Sequence, residues 1–207
     1  MTGRSSCRAY SGDVAVPVVI FDLDGTLINS DQALIEPFVA LGIARETITF
    51  GHPIEQECQR LGISIDDYVD AYDTDAVQPF DGVEQLLDGI AARTRWAVCS
   101  NKHARSGRAE LQRLGWTPEV ALFTDAFAGR PKEVQPVLDA MGISAAEALF
   151  VGDTDHDRSC AGDADVEFAW AAWNPRVPMT VSGRRLVRPD DLLRLLDDRL
   201  LDDGRGR

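Results

Sequence analysis

The apolar positions of this chain follow two different periods. From Val16 to Phe21 they are consecutive and mostly β-branched, the pattern of a strand buried on both faces. Trp96 to Ser100, Ala148 to Gly152 and Val166 to Ala171 repeat it, with shorter versions at Val120 to Phe123 and Arg185 to Val187. Between these runs the spacing becomes helical: Val83, Leu86, Leu87 and Ile90 share one face, as do Leu192, Leu195, Leu196 and Leu200 within Pro189 to Leu201. Further helices are predicted at about Ala104 to Leu114, closed by Gly115, at Glu133 to Met141, stopped by Gly142, and from Asp157 to Gly162. Strands alternating with helices predict an α/β fold, a Rossmann-like parallel sheet with helices on both faces.

One region breaks the alternation. A segment capped by Ser30 or Asp31 carries Ala33, Leu34, Phe38 and Leu41 and stops at Gly42. A second runs from Pro53 through Cys58 and Leu61 to Gly62, and a third from Ser64 or Asp66 through Tyr68, Val69 and Tyr72. The stretch between the first two, Ala44 to Gly51, has β-branched residues and ends at the breakers Gly51 and Pro53. None of these is the strand a parallel core needs. Residues 29–78 are therefore expected to form a small α-helical insertion in a discontinuous core of residues 14–28 and 79–201. Residues 1–13 read as a flexible N-terminal tail and 202–207 as a C-terminal tail.

Composition narrows the partners. A net charge of -13 over 207 residues argues against nucleic acid or an anionic membrane surface. An anionic small molecule stays possible if a metal or basic side chains stand at the site. Cys7, Cys58, Cys99 and Cys160 show no C-x-x-C spacing and read as reduced thiols of a cytoplasmic protein. No apolar run approaches the ~20 residues of a membrane span. Arg4 and Arg8 near the N-terminus are followed by no apolar region, unlike a secretory signal.

The candidate chemistry sits where apolar strands end. The first strand runs into D-L-D-G-T-L, so Asp22 and Asp24 stand at a strand-to-loop junction, where open parallel sheets place their sites. Two carboxylates 4 Å apart repel by about 4 kcal/mol at an effective dielectric near 20, so a cation is required. The strand at Trp96 ends in Ser100-Asn101-Lys102, where a hydroxyl backed by helix N–H groups can hold a phosphate oxygen. Lys132, after Gly129-Arg130-Pro131, is read as beginning a helix, where a cation opposes the dipole unless it reaches an anion; Arg130 is a second cation in the same turn. The strand at Ala148 ends in Gly152-Asp153, with Asp157 four residues on. Asp153, Asp155 and Asp157 mimic the start of a calcium loop, but Arg158 and Ala164 occupy the positions where such a loop needs glycine and glutamate.

Taken in order, D-x-D-G-T, Ser100, Lys132 and G-D-x-x-x-D resemble the four motifs of the haloacid dehalogenase superfamily, mostly magnesium-dependent phosphatases. Receiver domains of response regulators share an acidic pocket with a hydroxyl and a lysine, but resemble a shorter chain with adjacent acids on the first strand. The resemblance implies Asp22 as nucleophile and Asp24 as general acid and base. It also implies Thr26, Ser100, Asn101 and Lys132 around the phosphate, Thr26 holding the loop that orients Asp24. Mg2+ is expected on Asp22, the carbonyl of Asp24 and Asp153, with Asp157 acting directly or through water. The intact D-x-D favours phosphate-ester hydrolysis over dehalogenation or phosphonate chemistry; a phosphomutase, or a non-catalytic binding or regulatory protein on the same fold, is the alternative. The insertion resembles the superfamily's cap, is shorter than expected for one, and so implies a more open site over a small phosphorylated substrate. Asn29, Glu36, His52 and Arg60 are its candidate contacts, while His103 and His156 read as helix-start or surface residues.

Overall fold

The first apolar run forms β1 (Val18–Phe21) in the computed structural model, which describes residues 17–49, 52–128 and 130–204. The expected N-terminal tail with Cys7, residues 14–16 at the start of the expected core, Phe50, the breaker Gly51, Gly129 and residues 205–207 lie outside the described residues. After β1 come β2 (Ile28–Asn29), α1 (Asp31–Ala40), α2 (Ile54–Leu61), α3 (Ile65–Ala71) and β3 (Gln78–Pro79). The α/β alternation then resumes with α4 (Val83–Ala91), β4 (Trp96–Cys99), α5 (Ala104–Leu114), β5 (Val120–Leu122) and α6 (Gln135–Met141). It closes with β6 (Ala148–Gly152), α7 (Asp155–Asp163), β7 (Glu167–Ala171), β8 (Arg184–Leu186) and α8 (Asp190–Gly204).

The large sheet is parallel throughout, in the order β5-β4-β1-β6-β7-β8. β1 lies between β4 and β6, so the chain leaves it toward both sides, and its C-terminal end is the crevice where ligands bind in doubly wound sheets. Alternate side chains of β1 feed two cores. Val19 and Phe21 pack with Leu86 of α4, Leu111 of α5, Leu192 of α8 and the insertion's Phe38 and Tyr68. Val18 and Ile20 pack with Val137 and Met141 of α6 and Cys160 of α7.

Several boundaries differ from expectation for identifiable reasons. α6 begins at Gln135 with Pro136 in its first turn, so Lys132 sits in the preceding loop and not at a helix start. α7 begins at Asp155 because Thr154 and Asp157 form a reciprocal capping box. α8 continues to Gly204, past the expected end at Leu201. The sequence reading did not anticipate β2 and β3, which pair antiparallel with Ile28 opposite Pro79 and tie together the two stems of the helical insertion. Among the described residues no helix is long and apolar enough to cross a membrane.

Candidate active site

Three neighbouring strands deliver carboxylates and a hydroxyl to one end of the sheet. Asp22 follows β1, with its N–H donating to Val151 of β6 at 2.9 Å. The chain then reverses through Gly25, whose φ of +81° suits glycine and whose Cβ, if present, would lie 2.4 Å from Asp153 Oδ2. Ser100 follows β4, and Asp153 follows β6. Asp22, Asp153 and Asp157 are buried, and one oxygen from each lies within 4.8 Å of the others, the one such group among the described residues.

Lys132 compensates this cluster. Its Nζ lies 2.5 Å from Asp22 Oδ1 and 2.6 Å from Asp157 Oδ1. Asn101 Oδ1 accepts the Lys132 backbone N–H at 2.7 Å and so fixes the loop. Asp157 is locked by its second oxygen, which accepts from the N–H of Asp153, the N–H of Thr154 and the Thr154 hydroxyl at 3.1, 2.8 and 2.7 Å. Asp153 Oδ2 accepts from Asn174 Nδ2 at 3.0 Å and from Arg176 at 3.2 Å, while Thr26 donates to its other oxygen at 3.4 Å.

Burial sets the protonation of the group. It pushes Asp22 up to about 7 against the pull of Lys132, and holds Asp153 well above the usual carboxylate range with Asp22 and Asp157 adding repulsion. Burial also raises Asp157, but Lys132 and the Thr154 hydrogen bonds outweigh it and leave that carboxyl low. Desolvation pulls Lys132 down, yet Asp157 and Asp22 carry it well above its ordinary value. Ionising all three acids, with Lys132 and Arg176 as their cations, is opposed by repulsion: two carboxylates no more than 4.8 Å apart repel by at least about 3.5 kcal/mol at a dielectric near 20. Closely spaced buried carboxylate oxygens are a donor set that could hold a hard divalent cation.

A cleft with about 780 Å³ of free space, counted out to bulk solvent, opens onto this cluster. Its floor is Asp22, Asp24, Ser100, Asn101, Lys132 and Asp157; Leu34, Phe38, Ile48, Ile54, Tyr68 and Tyr72 of the insertion form an apolar wall.

A family model described as haloacid dehalogenase-like hydrolase matches residues 19–171. The chain belongs to that family. Among its relatives, the phosphoglycolate phosphatase of Xylella fastidiosa is 29% identical over 208 residues, 84% of this chain and 90% of that protein. The phosphoglycolate phosphatase of Rhodospirillum rubrum is 30% identical over 185 residues, 72% of this chain and 76% of that protein. A haloacid dehalogenase-like family hydrolase from Streptococcus pneumoniae shares the fold with a TM-score of 0.71, covering 86% of this chain and 97% of that one at 16% identity.

In this haloacid dehalogenase-like hydrolase, Asp22, Asp24, Ser100, Asn101, Lys132 and Asp157 all reach the cleft. Thr26 is not among the cleft's lining: it is fully buried and donates to Asp153. From the insertion, residues of α1 and α3 line the cleft together with Ile48, Thr49, His52 and Ile54. Of the insertion residues singled out from sequence, His52 lines it, held 2.9 Å from Glu57. Asn29 is exposed on β2, Glu36 pairs with Arg45, and Arg60 turns away to Glu57. His103 and His156, read as helix-start or surface residues, stand at the starts of α5 and α7 and both line the cleft.

Sequence reasoning missed a second buried lysine. Lys102 Nζ lies 2.7 Å from Asp24 Oδ1, 2.8 Å from the Tyr72 hydroxyl and 2.9 Å from Glu110 Oε1. Burial pushes Glu110 up to about 7 despite Lys102. The signal was present: with Ala104, Gly107 and Leu111, Glu110 falls on the stripe of α5 that the helical period turns inward, and a carboxylate there needs a cation. It also missed the loop after β7, where Trp173 Nε1 donates to Thr26 O and Asn174 Nδ2 to Gly25 O, both at 2.8 Å, stapling the D-x-D-G-T turn.

Proposed function

We propose that this chain is a Mg2+-dependent phosphatase that hydrolyses a small phosphorylated metabolite through an aspartyl-phosphate on Asp22. The observation that carries the reading is the convergence of Asp22 and Asp153, which follow the adjacent parallel strands β1 and β6, with Asp157 of α7 and Lys132 of the loop before α6. The phosphoglycolate phosphatases among its relatives support a phosphate ester as substrate.

Asp22, Asp153 and Asp157, with the backbone carbonyl of Asp24, would hold the ion. When bound it supplies positive charge that lets a phosphate dianion approach carboxylates and stabilises the transferring oxygens. A carboxylate oxygen of Asp22 attacks phosphorus, the bond from phosphorus to the leaving oxygen breaks, and Asp24 gives that oxygen its proton. Asp24 then takes a proton from water as the water oxygen attacks the aspartyl-phosphate, releasing phosphate and restoring Asp22. Lys132 offsets charge on Asp22 throughout. Ser100 and the N–H groups beside it cradle the phosphate oxygens, and Asn101 keeps Lys132 in place. The helical insertion acts as a cap, its apolar wall suiting a compact leaving group. Three buried free thiols, Cys58, Cys99 and Cys160, support a cytoplasmic protein.

The test is phosphate release from a panel of phosphorylated metabolites, phosphoglycolate and sugar phosphates included, with added Mg2+ or with EDTA. Release that needs Mg2+ and is silenced by EDTA is expected. Isomerised sugar phosphate without net release would make the protein a mutase; inertness on every ester would make it a binding protein.

A further inference from the structure

Two buried lysines divide the acids between them. Lys132 serves Asp22 and Asp157, whereas Lys102 serves Asp24 alone among the four proposed site carboxylates. We propose that Lys102 is a positioning residue for Asp24, and that Tyr72 completes its setting only when the helical insertion is docked on the core. This rests on the reading of Asp24 as the acid-base group.

The geometry of Lys102 is saturated. An ammonium has three donors, and three acceptors stand around this one: Asp24 Oδ1 at 2.7 Å, the Tyr72 hydroxyl oxygen at 2.8 Å and Glu110 Oε1 at 2.9 Å. The Lys102 side chain is 2% exposed and that of Glu110 fully buried. Tyr72 donates its own proton to Glu110 Oε1 at 2.6 Å, so its lone pair is left facing Lys102 and the polarity of the triangle is fixed. Burying a lysine and a second carboxylate costs free energy unless each is paired, and the pairing here ends on the side chain that must move a proton. With Oδ1 engaged by Lys102, proton transfer falls to Asp24 Oδ2, on an axis that the lysine sets.

The four residues come from three parts of the chain. Asp24 belongs to the turn after β1, Lys102 and Glu110 to the β4–α5 connection and α5, and Tyr72 to the residue that ends α3 of the insertion. Undocking the insertion would take one acceptor from Lys102 and one donor from Glu110 at once. Docking and alignment of Asp24 are in this way the same event, which confines leaving-group protonation to the closed site.

Leaving-group dependence separates positioning of the acid from a merely structural role. An alkyl phosphate needs its departing oxygen protonated, and p-nitrophenyl phosphate does not. kcat/KM reports formation of the aspartyl-phosphate only, so dephosphorylation, common to both esters, drops out. The experiment measures kcat/KM with saturating Mg2+ for the wild type, Lys102→Met, Tyr72→Phe and the double variant on both esters, alongside circular dichroism. Lys102→Met is expected to lose about 50-fold or more on the alkyl ester and less than about 5-fold on the aryl ester. Tyr72→Phe, which removes one hydroxyl oxygen, should lose about 5-fold on the alkyl ester, and the double variant should match Lys102→Met alone, because Tyr72 acts through Lys102. If Lys102→Met does not fold, Tyr72→Phe carries the test. An unchanged alkyl-to-aryl ratio, or multiplicative losses in the double variant, overturns the proposal. A wild type inert on both esters overturns the phosphatase reading itself, an outcome distinct from the others.

Discussion

Lys132 and Asp22, 110 residues apart in the chain, meet at 2.5 Å in the floor of the cleft. The lysine is the cation shared by Asp22 and Asp157, so Lys132→Met leaves those two buried acids without their partner. Removing one partner of a buried ion pair costs about 3–5 kcal/mol. The variant should melt well below the wild type in metal-free buffer and regain much of the difference on adding Mg2+, because the ion takes over the same charge. Thermal unfolding with and without Mg2+ checks this. A deficit of equal size in both buffers would separate Lys132 from the metal cluster.

Gly152 is the residue that lets Asp157 approach. A Cβ there would lie 2.5 Å from Asp157 Cβ and 2.7 Å from Asp157 Oδ2, and Asp157 is held by too many hydrogen bonds to give way freely. Gly152→Ala is expected to cost about 1–3 kcal/mol through overpacking. It should also weaken Mg2+ binding about 10-fold or more by turning Asp157 away from the acids. Chemical denaturation and calorimetric Mg2+ titration read the two effects. Unchanged Mg2+ affinity would remove Asp157 from the ion's surroundings.

Glu57 makes the insertion sensitive to acid. Burial alone would raise its carboxyl, but Arg60, the Thr49 N–H and His52 outweigh it and hold it at about 2, below its ordinary 4.5. A carboxyl lowered on folding stabilises fully above its ordinary value, and that stability drains as pH falls from about 4.5 toward 2. Arg60 is half exposed, so solvent screening limits the contribution to about 1–2 kcal/mol. The stability gap between wild type and Glu57→Gln, measured by urea unfolding, should be full at neutral pH and close below pH 4.5. A gap independent of pH would mean that the charge of Glu57 does not matter.

Much of this arrangement was legible because the strands are consecutive apolar runs and the chemistry falls where they stop. Asp22, Ser100 and Asp153 needed only that rule. Residues that bridge elements were harder. Lys102 reads as one more polar residue after a strand, and only the fold brings Asp24, Glu110 and Tyr72 around it. Asn174 and Arg176 lie in a loop with no periodicity, and their shared partner Asp153 is 21 and 23 residues away. The β2–β3 ribbon escaped notice because two-residue strands leave no alternation to read. Lys132 was found by an argument about helix dipoles that its position in a loop does not support; its reach to Asp22 was correct for another reason, the need to balance buried charge.

The most direct trial of the account is to look for phosphate on Asp22. Wild type mixed with a radiolabelled phosphate ester and Mg2+, then acid-quenched within the first turnovers, should carry label on the peptide containing Asp22, and Asp22→Asn should carry none. Label on another residue, or rapid hydrolysis by the wild type with no labelled protein at any time, would contradict it.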